Sequence, residues 1–148
     1  MRLVAGSGLL LSLLLVQPAC AATIRETLEQ FGFLGTWAAR CGNAATPDNI
    51  VRKIEMNAND VRFVERFGEN YEPNVYAIVE ARSQKSDTLI LRVELNGNGE
   101  QELTMRRSGN QIRTIRNRGS DGNILVKNGI VVSTGRPTAW LTHCKESP

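Results

Sequence analysis

Two charged pairs are the residues of this chain whose types and spacing could do chemistry. Arg52 and Glu65 flank the turn-forming run Asn57-Ala58-Asn59-Asp60. If that run is a hairpin turn, Met56 faces Val61, Ile54 faces Phe63 and Arg52 faces Glu65. Strand side chains alternate between faces, so this ion pair shares the apolar face with Ile54 and Phe63. An arginine and a carboxylate inside a barrel are either a satisfied structural pair or the polar fixing point of a ligand cavity. Arg106 and Arg113 form the second pair. With Gly109-Asn110 as a two-residue loop they lie opposite each other, and like charges so placed repel unless a carboxylate or an anionic partner relieves them. Glu94 and Glu102 are candidates for local relief. The same register puts Leu103, Met105, Ile112 and Thr114 on one face, with Arg107 and Arg116 at its ends.

Other familiar chemistry is missing. Glu94-x-Asn96-x-Asn98-Gly99 looks like the start of a calcium loop, but loop position twelve falls on Met105 where a carboxylate is required. His143 is the lone histidine, so it has no second imidazole for a zinc site, and no serine stands in a nucleophile-elbow context to make it the base of a triad. No metal or cofactor is expected, and the expectation is a non-enzymatic protein. The few aromatics do not interleave with the arginines, so a nucleic-acid surface is not expected.

Residues 1–21 read as a secretory signal: Arg2, an apolar run from Leu3 to Val16, Pro18, then Ala19-Cys20-Ala21 at the cleavage site. The competing readings are a retained anchor, for which the run is short, and a lipoprotein signal acylated at Cys20. Cleavage after Ala21 leaves one domain, residues 22–148, destined for the periplasm or secretion, with no membrane span once the signal is gone. It also leaves Cys41 and Cys144 as an even pair able to form a disulfide in an oxidising compartment. Residues 22–100 hold nine Lys/Arg against twelve Asp/Glu, and residues 101–148 eight against three, so basic character is concentrated late in the chain.

The elements that must position these residues are mostly strands. Thr23 to Glu26 has capping-box form, and Ile24, Leu28 and Phe31 follow at helical spacing before Gly32, which predicts a helix over about 23–31 covering one end of the domain. Period-two runs then follow near 34–39, 50–56, 61–67, 75–81, 89–95, 101–108, 111–117, 123–127 and 130–134, with Asn-Gly and Asp-Gly turns between several of them. Val75, Ala77, Val79 and Ala81 form one face of their run. A four-residue loop at Asn96–Gly99 would set Leu91 against Thr104, so a three- or five-residue loop is expected, with Gly99 at a bulge position. No segment is long enough for helical crossovers. The fold class is therefore all-β: an antiparallel meander of eight or nine strands, closed into a barrel. A barrel of eight strands is filled by side chains or holds one small ligand.

Leu34-Gly35-Thr36-Trp37-Ala38 with Cys41, and Pro137-Thr138-Ala139-Trp140-Leu141 with Cys144, resemble a pattern in small exported bacterial β-barrel proteins of unknown function. The Gly-x-Trp also resembles the opening signature of lipocalin-like (calycin) barrels. That resemblance implies Trp37 as the plug of one barrel end, with Arg116 or Arg118 stacked on it. Small periplasmic protease inhibitors are similar in outline, and they imply an inhibitory N-terminal trunk over about Ala22–Leu34, although their disulfide is usually local. Two functions follow as expectations. The first is a barrel binding a small amphipathic or anionic ligand, its cavity lined by Phe63, Val75, Val79, Leu91 and Met105, with Arg52, Glu65 and Arg116 as polar anchors. The second is a module that inhibits a periplasmic protease or lysozyme through the N-terminal segment or the Arg106/Arg113 face.

Overall fold

The computed structural model describes residues 23–57, 60–97 and 99–145. The signal-peptide reading of residues 1–21 lies outside the described residues. Among the described residues, one short helix, α1 (Ile24–Phe31), precedes ten strands: β1 (Thr36–Ala38), β2 (Val51–Met56), β3 (Val61–Arg66), β4 (Asn74–Lys85), β5 (Thr88–Leu95), β6 (Glu100–Ser108), β7 (Gln111–Gly119), β8 (Ile124–Lys127), β9 (Ile130–Val131) and β10 (Leu141–Cys144). Strands β1 to β7 pair in sequence, and β10 pairs with both β7 and β1. Eight antiparallel strands thus close a barrel, while β8 and β9 continue from β7 outside it. The expected barrel is present, but the strand that closes it is Leu141–Cys144. The 123–134 segment, expected to belong to the meander, forms the two outer strands.

Closure works because β7 is shared. Its first residues, Gln111 and Ile112, pair with Thr142 and Leu141, and its later residues, Arg116 to Arg118, pair with β8. The disulfide between Cys41 and Cys144 joins the segment after β1 to the last residue of β10, tying the entry of the barrel to its exit. Such a bond is compatible with an oxidising, exported location. Asn49, almost fully buried, holds the loop between β1 and β2. Its side chain accepts from Arg40 N at 2.8 Å and donates to Ala44 O at 3.0 Å.

The helix covers one end, as its pattern predicts. Thr23 N donates to Glu26 Oε2 at 2.8 Å and Glu26 N to Thr23 Oγ1 at 3.2 Å, completing the capping box. Hydrogen bonding to the Thr23 backbone, and then to its side chain, holds the fully exposed Glu26 carboxyl below its usual range. Gly32 ends the helix with φ at 72°, a left-handed conformation that suits glycine. Leu28, Phe31 and Phe33 are buried in the same core as Ile54, Phe63 and Met105. The Arg107 guanidinium lies over the Phe31 ring, 5.7 Å from its centroid, and donates to Phe31 O. Arg107 adjoins the turn at Gly109-Asn110, so α1 sits at the end of the barrel carrying that turn and the β2–β3 turn. Leu28, Phe31 and Phe33 therefore anchor the segment 23–34 in the core, while Arg25, Glu26, Glu29 and Gln30 stay exposed.

Hairpin registers follow parity where no extra residue intervenes. Arg52 pairs with Glu65, Ile54 with Phe63 and Met56 with Val61. Leu91 pairs with Leu103 and Leu95 N donates to Gly99 O, which makes the β5–β6 connection a three-residue loop. Gly99 has φ at 109°, where an L side chain is strained. The register shifts at four places, near Val79, Gln84, Ile115 and Leu125, and two of these shifts shape the cavity. In β4 the register shifts between Ile78 and Glu80, and Val79 is the extra residue. Tyr76 and Ile78 consequently point inward, and Val79 is exposed. In β7 the register shifts at Ile115, so that Thr104 lies opposite Arg116 and Leu103 opposite Asn117.

Candidate functional site at the open end of the barrel

The end of the barrel away from α1 opens into a cavity of about 420 Å³. Arg52 near the start of β2 and Glu65 near the end of β3 lie on its floor, because the β2–β3 turn is at the opposite end. Arg52 Nε donates to Glu65 Oε1 at 3.0 Å, and Nη2 donates to the same oxygen. The side chains are 7% and 10% exposed, so the pair is largely removed from water. Its desolvation is offset by this bonding and by Phe63, whose ring centroid lies 4.9 Å from Arg52 Cζ. Phe63 in turn stacks on Tyr76 with centroids 4.2 Å apart. Burial first, and then the negative charge of Glu65, push the Tyr76 phenol well above its ordinary value, with Arg52 opposing.

The walls combine apolar and polar side chains. Ile50, Leu103, Val126 and Leu141 supply apolar surface, while Thr114 and Asn117 reach in from β7. A strap formed by β9 and the segment leading to β10 bounds the opening with Arg136, Pro137, Thr138 and Ala139. The strap is pinned to β7. Thr138 Oγ1 donates to Thr114 O at 2.6 Å, and Arg113 Nη2 donates to Gly129 O at 2.6 Å. Arg113 Nε also donates to Thr138 Oγ1 at 3.2 Å, and its guanidinium stacks 5.3 Å from the Trp140 ring centroid.

The structure brings together some of the sequence-selected residues and separates others. Arg52, Glu65 and Phe63 meet in the cavity. Met105 and Leu91 lie in the filled core. Met105 still touches the site, since its Sδ receives Thr114 Oγ1 at 3.3 Å and Arg52 Nη1 at 3.8 Å. Arg116 is not an anchor of this cavity. The Ile115 bulge turns it to the outer surface opposite Lys127, where it lines a separate groove with Arg82 and Glu102. Val75 and Val79 do not line the cavity either, because the β4 bulge turns Tyr76 and Ile78 inward instead, Tyr76 to the cavity and Ile78 to the core. Tyr76 and Asn117 are the site residues that parity missed. The signal available for Tyr76 was its ring two positions before the apolar Ile78.

Arg106 and Arg113 do lie opposite each other, but their guanidiniums diverge. Arg106 lies 3.9 Å from Asp87 Oδ2, while Arg113 is spent on the strap, so they do not present one anion-binding patch. Relief comes from Asp87, not from Glu94 or Glu102. Trp37, opposite Arg52 in the sheet, is buried against Phe33, donating Nε1–H to Phe33 O at 2.8 Å. The ring against it is His143, with centroids 4.6 Å apart, and neither Arg116 nor Arg118 stacks there. His143 Nε2 donates to Leu34 O at 3.0 Å. The Glu94–Gly99 turn serves the sheet: Asn96 Oδ1 accepts from Val75 N at 2.7 Å.

No group of three potential metal ligands occurs among the described residues, and no helix there is long and apolar enough to cross a membrane. Comparison with known protein families, curated proteins and solved structures finds no match.

Proposed function

We propose that this protein is an exported, non-enzymatic barrel, acting in the periplasm or after secretion, that binds one small amphipathic or anionic ligand at its open end. The observation that carries this reading is the cavity of about 420 Å³ with apolar walls and a buried Arg52–Glu65–Tyr76 floor. Its size falls within the roughly 300–1,000 Å³ usual for small-molecule sites, and such sites combine apolar walls with a few placed polar groups. The resemblance of Gly35-Thr36-Trp37 to the calycin opening points the same way. Native mass spectrometry of protein isolated from its own host should show a bound small molecule. Ala139→Trp, which fills the opening from the strap, should remove that molecule and leave thermal unfolding cooperative. A wild-type protein that carries nothing and takes up no member of an amphiphile panel would refute the reading.

A second reading, an interaction module that inhibits a protease or lysozyme, draws on the outer strands. Leu125, Ile130 and Val132 are large, exposed and clustered on β8, β9 and the residue after them, and exposed apolar clusters often mark contact surfaces. Leu125→Ser with Val132→Ser should then abolish inhibition while ligand uptake persists.

A further inference from the structure

The cavity holds hydrogen-bonding capacity that the protein itself leaves poorly used. Among the described residues, the thioether of Met105, at 3.8 Å, is the one partner of Arg52 Nη1, although Arg52 is 6% exposed. Thr114 Oγ1 donates to the same sulfur at 3.3 Å. A thioether is a weak acceptor, so two strong donors share one poor partner. Asn117 supplies the complementary lack. Its Nδ2 donates to Gln101 Oε1 at 2.9 Å, and its buried Oδ1 has no partner among the described residues. Arg52, Thr114 and Asn117 all line the one cavity.

Charge decides which ligand group fits. The buried arginine is already neutralised by Glu65 through two bonds to one oxygen. A carboxylate brought to Arg52 Nη1 would stand beside Glu65 with no second cation on the floor, since Arg113 is committed to Gly129 and Thr138 and Arg136 stands on the strap at the rim, where Asp48 also lines the cavity. An ammonium would meet the Arg52 guanidinium. Either sign leaves an unbalanced charge beside a pair that is itself largely removed from water, which is costly. A hydroxyl both accepts and donates and carries no charge. From the unspent donors on Arg52 and Thr114 and the unspent acceptor on Asn117, we infer that the ligand presents an uncharged, hydroxyl-bearing polar group to the floor, with its apolar part along Leu103, Val126 and Leu141. This rests on the cavity-binding reading and narrows its ligand class.

Calorimetry with three probes of equal chain length tests the inference: a vicinal octanediol, octanoate and octylamine, each titrated into the disulfide-intact protein at neutral pH. The diol should bind about tenfold tighter than either charged probe. Thr114→Val and Asn117→Leu should each lower the diol-to-octanoate affinity ratio about three- to tenfold, the scale of one neutral hydrogen bond, with Thr114→Val providing the near-isosteric control on folding. Octanoate or octylamine binding as tightly as the diol, or an unchanged ratio in Thr114→Val, would overturn the inference and leave the cavity reading intact. Binding of none of the three would overturn both.

Discussion

Arg52 and Glu65 face each other across the β2–β3 hairpin, and two nitrogens of the arginine converge on one oxygen of the glutamate inside the barrel. Removing one partner strands a buried charge, whereas removing both does not. Arg52→Met and Glu65→Leu should each cost about 3–5 kcal/mol, and the double variant should recover much of that loss. Urea denaturation of the four proteins in a double-mutant cycle measures it. Additive losses would show that the two side chains do not act as a pair.

Tyr76 ties stability to alkaline pH. Its folded-state pKa is raised above the ordinary 10.0, so the folded barrel holds the phenolic proton more tightly than the unfolded chain does. The resulting stabilisation is fully present below the ordinary value and is lost as pH rises through the folded one. Stability should therefore fall more steeply above about pH 10 in wild type than in Tyr76→Phe. Denaturation midpoints collected from neutral to alkaline pH compare the slopes, and equal slopes would show that Tyr76 is not desolvated.

The strap depends on Arg113. Arg113→Ala removes two charge-assisted bonds, to Gly129 O and Thr138 Oγ1, and should cost about 1.5–3 kcal/mol. Amide exchange should rise over residues 129–138 before it rises in β5 or β6. A uniform rise throughout the barrel would mean that the strap and barrel open as one unit.

Leu28, on the inner face of α1, is fully buried. Leu28→Ala should destabilise the domain by about 2–5 kcal/mol, and removal of residues 22–33 should expose Phe63 and Met105 and abolish the cooperative transition. A truncated protein that unfolds like the full chain would show that the helix is dispensable to the core.

The Cys41–Cys144 bond closes a loop that spans most of the domain. Replacing both cysteines with serine should lower stability by about 4–5 kcal/mol on chain-entropy grounds. The oxidised chain should also run roughly 2 Da below its reduced form, the mass of the two hydrogens lost when a disulfide forms. A protein isolated from its host without that mass difference would show that the barrel closes without the covalent tie.

Much of this architecture was written in local pattern. The turn chemistry and the two-residue period were enough to pair Arg52 with Glu65 and Arg106 with Arg113, to require an odd loop after Leu95, to place the helix at one end and to offer Cys41 and Cys144 as partners. Each of these depends on neighbours in sequence or on simple counting, and side-chain alternation carries such information faithfully along a regular strand. Tertiary structure decided the rest. Parity fails at the first extra residue, and whether Val79 or Ile115 bulges depends on how β4 and β7 must bend to close the barrel. Those bulges put Tyr76 and Asn117 into the cavity and turned Arg116 out of it. Closure by Leu141–Cys144, the displacement of β8 and β9 and the pinning of the strap by Arg113 likewise join residues distant in sequence. No local period records such contacts, because they form only when all eight strands are in place.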